Sequence, residues 1–168
     1  MAAPDSAQTM RDRFGALTLT MLNETPLAAA WSVNFLANFF VGPLYRDLAE
    51  RFDMSRAQFV ILYSLSRKPG LVARDICLAT GLPKNSISRA VSELLDRRLI
   101  DRAVDADDRR AKPLMLTAKG RHLLEQVVPL FMARQDAMRA ALTDEEKAAF
   151  DRLLSKMIDA MPSWVGAD

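Results

Sequence analysis

The sequence predicts a mainly α fold interrupted once by a small β-hairpin, and three observations carry that prediction. Ala73 to Thr80 is a short helical run with Ile76 on its apolar side, closed by Gly81 where a helix-ending glycine belongs. Pro83 opens a second helix at a position where a missing N–H costs nothing, and Ile87, Val91 and Leu94 recur along it at helical spacing. Two short apolar runs follow, Leu99 to Val104 and Pro113 to Thr117, on either side of a polar tip from Asp105 to Lys112. Helix, sharp turn, helix and hairpin in that order make a winged helix-turn-helix, with the flanking helices forming a dimerisation region.

The other elements follow in chain order. Met1 to Gln8 is polar and is expected to be disordered. Thr9 to Asn23 carries Met10, Phe14, Leu17, Met21 and Leu22, a weak amphipathic helix interrupted by Gly15 that needs another element to pack on. Thr25-Pro26 reads as an N-cap followed by a first-turn proline, starting a long apolar helix from Pro26 to about Arg51 that Gly42-Pro43 should kink or split. Ser55 caps a helix from Arg56 to Arg67 with Phe59, Leu62, Tyr63 and Leu65 inward, and Lys68-Pro69-Gly70 closes it with turn chemistry. After the hairpin, Thr117 caps a helix from Ala118 to about Leu142, in which Pro129 should introduce a bend. Thr143 with Glu146 then forms a capping box that starts a last helix. Phe150, Leu153, Leu154, Met157, Ile158 and Met161 make one apolar stripe along it.

These elements divide into an arm (1–25), a helical dimerisation region (26–53 and 118–162) and a DNA-binding lobe (54–117). The outer helices carry more apolar surface than one small domain needs, so they are expected to interlock with the same helices of a second chain. A two-fold dimer would set two recognition helices about one duplex turn apart, roughly 34 Å, and would require a near-palindromic site.

The outer face of the second helix supplies the chemistry. Lys84, Asn85, Ser86, Ser88, Arg89 and Ser92 are short polar or basic side chains, with no carboxylate until Glu93. A major groove accepts such a face, since it can approach phosphates and hydrogen-bond base edges. Ser86, Ser88, Arg89 and Ser92 are base-reading candidates, and Lys84 and Asn85 are phosphate contacts. Charge supports the same reading: the stretch from Arg67 to Arg121 holds 13 Lys/Arg against 7 Asp/Glu, the rest 10 against 14, so a basic middle sits between acidic flanks. Double-stranded DNA is the expected partner.

Other classes fit less well. The single cysteine, Cys77, excludes an internal disulfide and suits a reducing cytosol, and Met1 to Phe14 lacks the apolar core of a signal peptide, so a cytoplasmic location is expected. Leu27 to Tyr45 approaches the length of a bilayer-crossing helix, but Ser32, Asn34, Asn38 and Gly42-Pro43 interrupt it, and no membrane association is expected. With one histidine (His122), one cysteine and six scattered glycines, neither a nucleophile–base pair, a phosphate-cradling loop nor a metal cluster can be assembled, so no enzyme activity and no cofactor are expected. The remaining alternative is a winged-helix module for protein contacts alone, against which the basic helix face and hairpin arginines weigh.

Three segments resemble the MarR family of bacterial transcription regulators. They are Met54-Ser55-Arg56-Ala57-Gln58-Phe59-Val60-Ile61-Leu62, then Gly81-Leu82-Pro83-Lys84-Asn85-Ser86-Ile87-Ser88-Arg89, then Asp108-Arg109-Arg110 followed by five residues and then Leu116-Thr117, with Gly120 beyond. The likeness runs from about Asn38 to Met161. It implies a homodimeric repressor whose hairpin reaches a minor groove, where narrow walls concentrate negative potential. Arg110 is the residue the resemblance puts there. Asp108 is suited to hold that guanidinium by a charge-assisted hydrogen bond, or simply to form the turn, and Arg109 to meet phosphate. The family often senses phenolic or other aromatic acids, which makes Asn34, Asn38, Tyr45 and Tyr63 candidates for lining an effector pocket; polar positions on dimer helices account for them equally. Some members sense oxidants through a cysteine, whereas Cys77 is expected to be a buried, inert thiol. Three departures stand out: Arg98 stands where the family commonly has glycine, so that a left-handed position there would cost about 1 kcal/mol, Asp107 makes the tip less basic, and Pro113 is expected to confine its strand to an edge.

Overall fold

The computed structural model describes residues 6–103 and 113–166, which form nine helices and two strands in two compact units, Met1–Leu124 and Glu125–Asp168. The first unit opens with α1 (Ser6–Phe14) and α2 (Ala16–Asn23), separated by Gly15 at φ 83°, a conformation that only glycine adopts without strain. Both pack against α3 (Ala28–Phe52), where Phe14 meets Phe35 and Phe39 edge-on at 5.2 and 4.9 Å between ring centroids.

Two expectations for α3 need correcting. Thr25 does not cap it: the Thr25 hydroxyl donates back to the carbonyl of Met21, and α3 begins after Leu27 without a side-chain cap. Nor does Gly42-Pro43 split it, since the helix continues through Pro43 to Phe52 and ends at Asp53 in the left-handed conformation.

The winged helix-turn-helix consists of α4 (Arg56–Arg67), α5 (Ala73–Thr80), α6 (Lys84–Asp96), β1 (Ile100–Arg102) and β2 (Leu114–Leu116). Ser55 starts α4 with a full capping box: the Gln58 amide donates to Ser55 Oγ at 3.3 Å and the Ser55 amide to Gln58 Oε1 at 2.9 Å. One core joins these elements, formed by Phe59, Ile61, Leu62 and Leu65 of α4, Ile76 of α5, Ile87, Ala90, Val91 and Leu94 of α6, and Leu99, Ile100, Leu114 and Leu116 around the strands. Tyr63 was expected inside this core but is 42% exposed; it stacks on Phe59 at the rim.

The strands pair antiparallel with Ile100 opposite Leu116 and Arg102 opposite Leu114. The opposite side of β2 is also engaged: Gly70 donates its amide to the Leu114 carbonyl and Leu114 donates to the Leu71 carbonyl, both at 3.0 Å. Pro113 therefore does not mark an edge. It lies just before the strand opposite Ala103, whose amide donates to its carbonyl at 2.8 Å; without an N–H it cannot return the second bond of that pair, and the ladder with β1 ends there.

α7 (Ala118–Arg139) starts at Thr117, whose hydroxyl accepts from the Gly120 amide at 3.0 Å. It passes unbroken through Pro129 and stops three residues short of the expected end. In the second unit, α8 (Asp144–Asp159) has the predicted Thr143–Glu146 capping box, and Arg139 ties the end of α7 to it through a 2.7 Å bond to Asp151. α9 (Met161–Trp164) follows. The predicted stripe on α8 is left open, with Leu153 57%, Met157 54% and Ile158 60% exposed.

Candidate nucleic-acid interface

The turn between α5 and α6 is held locally. Gly81 caps α5 at φ 65°, the Thr80 hydroxyl donates to the Ile76 carbonyl at 2.6 Å, and Pro83 at φ −58° directs the chain into α6. Because α6 buries Ile87, Ala90, Val91 and Leu94 on one side, the other side is fixed by geometry rather than by any contact of its own. Lys84, Asn85, Ser86, Ser88, Arg89 and Ser92 are all exposed along it. The Ser92 hydroxyl donates to the Ser88 carbonyl at 3.2 Å, which leaves its lone pairs outward. Pro83 offers no side-chain acceptor to the first turn of α6, so the amides there point outward, a disposition that favours an anion.

The carboxylate that ends this face is occupied elsewhere. Glu93 accepts from Gln58 Nε2 at 2.7 Å, which links the start of α4 to α6 through the one buried polar side chain among the described residues. Its carboxylate is thereby engaged by α4, at the end of the face away from Lys84 and one turn beyond Arg89.

Beyond α6 the chain turns sharply into β1. Arg98 has φ 55°, as the glycine-like position required, at a cost of roughly 1 kcal/mol. The Thr117 hydroxyl lies 3.0 Å from both the Arg98 and Leu99 carbonyls, and Gly120 sits so close to Leu99 that a Cβ there would be 2.1 Å from its carbonyl oxygen. This is the structural use of the Gly120 noted in the sequence. Asp107, Asp108, Arg109 and Arg110 lie outside the described residues.

The four effector-pocket candidates stand in different surroundings. Asn34 borders a shallow groove of about 280 Å³ with Leu27, Ala30 and Trp31, and Asn38 is exposed further along α3. Tyr45 lies under the Arg56 guanidinium, 5.5 Å from ring centre; burial pushes its phenol above the ordinary value of 10.0 and Arg56 pulls it partly back. Tyr63 carries Arg67 over its ring at 5.8 Å. Cys77 is half-buried rather than buried, and His122 is exposed. Among the described residues no group of three His, Cys, Asp or Glu could hold a metal, and no helix is long and apolar enough to cross a membrane.

The MarR family model matches residues 52–111, which run from the end of α3 to beyond β1 and stop short of β2. The HTH-type transcriptional regulator BilQ of Clostridium symbiosum is 30% identical over 99 residues, covering 59% of this chain and 68% of BilQ. The chain belongs to the MarR family. Among solved structures, a MarR family transcriptional regulator from Silicibacter pomeroyi superposes with a TM-score of 0.72 at 26% identity, covering 83% of this chain and 92% of that one. The DNA complex of MepR from S. aureus gives 0.68 at 25% identity, covering 83% and 99%. BpsR of Bordetella bronchiseptica, whose DNA binding is regulated by 6-hydroxynicotinic acid, gives 0.61 at 26% identity, covering 75% and 98%. The winged helix-turn-helix of this MarR family member is thus the fold the sequence predicts.

Sequence reasoning missed two features. The Gly70–Leu71 segment beside β2 carries no strand-like pattern and is only two residues long. Arg97 reads in sequence as one more surface cation after a helix, yet its guanidinium is bound to the backbone at the end of α3.

Proposed function

We propose that this MarR family protein is a sequence-specific regulator of transcription that binds double-stranded DNA as a homodimer on a near-palindromic operator and acts as a repressor. The observation that carries this reading is the face of α6, where six polar or basic side chains are exposed on a helix whose other side is locked into the core. In a major groove, Ser86, Ser88, Arg89 and Ser92 would meet base edges, while Lys84, Asn85 and the free amides of the first turn would meet phosphate. Arg110, backed by Asp108 and with Arg109 on phosphate, would enter the minor groove beside it. The likeness to MepR, solved in complex with DNA, supports this reading.

Two such faces would bind one duplex if residues 26–53 and 118–162 pair with a second copy while 54–117 form the reading lobe and 1–25 an arm. The uncovered apolar stripe of α8 supports that arrangement. A cytoplasmic location follows from the proposed role. Release by a small aromatic or phenolic acid is supported by the likeness to BpsR, with Asn34, Asn38, Tyr45 and Tyr63 as candidate polar contacts. Selection of bound sequences from a random duplex pool tests the reading, followed by measurement of the winner across salt. A two-fold symmetric consensus and a steep loss of affinity with salt are expected. No duplex binding even in dilute buffer would overturn it in favour of a winged-helix module for protein contacts.

A further inference from the structure

The end of α6 is joined to the end of α3 by polar links across open space. A cleft of about 490 Å³ lies there, lined by Ala49 and Asp53 from the α3 end, Met54, Ser55 and Gln58 from the start of α4, and Glu93, Asp96 and Arg97 from α6. Arg97 crosses it. Its Nη1 donates to the Asp53 carbonyl and its Nη2 to the Phe52 carbonyl at 3.1 Å, so one planar guanidinium engages two backbone acceptors at the negative end of the 25-residue α3. The Asp53 carboxylate, 3.9 Å away and 99% exposed, adds little. The main chain of Arg97 is fixed as well. Its amide donates to the Glu93 carbonyl at 3.1 Å, and its carbonyl accepts from Lys119 Nζ at 3.0 Å in the first turn of α7.

We propose that Arg97 is a positioning residue that sets the angle of α6 against α3, and with it the direction in which the reading face points. A fork bound to two fixed carbonyls resists rotation about either bond, whereas a single donor would not. The Gln58–Glu93 bond on the adjoining wall holds α6 to α4 and does not reach α3; there the buried Leu48 and Met54 supply non-directional packing, and the Arg97 fork supplies the directional link. This inference rests on the DNA-binding reading for its consequence, not for its geometry. On a dimer whose two copies meet through α3, the angle at each Arg97 determines the separation of the two faces and so the half-site spacing preferred.

The test has two arms. In a Cys77→Ser background, spin labels at Glu50→Cys on α3 and Ser92→Cys on α6, in labelled chain diluted into excess unlabelled chain without DNA, report the inter-helix distance distribution. It should be narrow with Arg97 and clearly broader with Arg97→Met, while Arg97→Lys should lie between. In the second arm, the wild-type chain and both variants, with native Cys77 and Ser92, are titrated with the selected operator and with versions whose half-sites are one base pair closer or farther apart. Arg97→Met should lose roughly tenfold on the operator, flatten the spacing preference and keep the salt slope of the wild-type chain. An unchanged distance distribution overturns the proposal, as does a uniform loss on all duplexes with a slope lower by about one, which is the signature of a direct phosphate contact. If Arg97→Met does not fold, Arg97→Lys carries both arms, and an undisturbed distance distribution there overturns the proposal equally. Absence of wild-type binding to any duplex would sink the DNA reading while leaving the distance measurement to decide the joint.

Discussion

Replacing Gly120 by alanine opposes two effects of known sign. In a helix interior alanine is favoured over glycine by about 0.5–1 kcal/mol, so propensity alone predicts stabilisation. At Gly120, however, the added Cβ would stand 2.1 Å from the Leu99 carbonyl oxygen and 2.9 Å from Leu116 Cδ1. An ordinary carbon–oxygen approach is roughly 3.3 Å, so the first turn of α7 must retreat by about 1 Å. The nearest obstacle is backbone, which no rotamer change can clear. Retreat stretches the Thr117 amide bond to Leu99, already 3.2 Å, and the 3.0 Å contacts of its hydroxyl. Overpacking of about 1–3 kcal/mol and the weakening of two hydrogen bonds of about 1 kcal/mol each outweigh the propensity gain, for a net loss of about 2–4 kcal/mol. For a chain of this size that lowers the melting temperature by roughly 4–16 °C, read by circular dichroism or calorimetry. A melting temperature equal to or above wild type would show that α7 does not sit against Leu99 in this way.

Other predictions follow from the same geometry. Arg98→Gly relieves the φ 55° backbone while giving the unfolded chain more freedom, so a stabilisation of about 0.5–1 kcal/mol is expected in thermal melts, and a destabilised variant would contradict the strained turn. Arg89→Ala on α6 and Arg110→Ala in the hairpin should each weaken operator binding by about 1–3 kcal/mol without moving the melting temperature. Unchanged affinity by fluorescence anisotropy would remove that residue from the interface. Leu154→Asp puts a carboxylate into the open α8 stripe and should shift a dimer toward monomer in sedimentation; an unaltered dimer would show that this stripe is not the interface.

What the sequence revealed of this fold depended on how local the cause was. The Ser55 cap, the Thr143–Glu146 box, the left-handed Gly81 and the inward repeat Ile87, Val91, Leu94 all formed as predicted. Each is determined by residues within one or two turns. Thr25 failed although its cause is also local, because a threonine hydroxyl serves a preceding carbonyl as readily as a following amide, and it took Met21. Tyr63 shares a helical stripe with Phe59, but that stripe reaches the rim of the core, and periodicity does not mark where a core ends. Pro113 misled for a different reason: the second neighbour of β2 comes from Gly70 and Leu71, more than forty residues away.

The same distinction separates the face of α6 from its aim. Which side chains α6 presents is readable, because the buried side of a helix dictates the exposed one. Where that face points is set by the Arg97 guanidinium on the carbonyls of Phe52 and Asp53, with Gln58 on Glu93 beside it. A backbone carbonyl is the same group in every residue, so a side chain that recognises one leaves no mark in the sequence at the acceptor end. Two family members could therefore carry the same α6 face and prefer different half-site spacings, if the donor after α6 reached a different turn of the long helix before it.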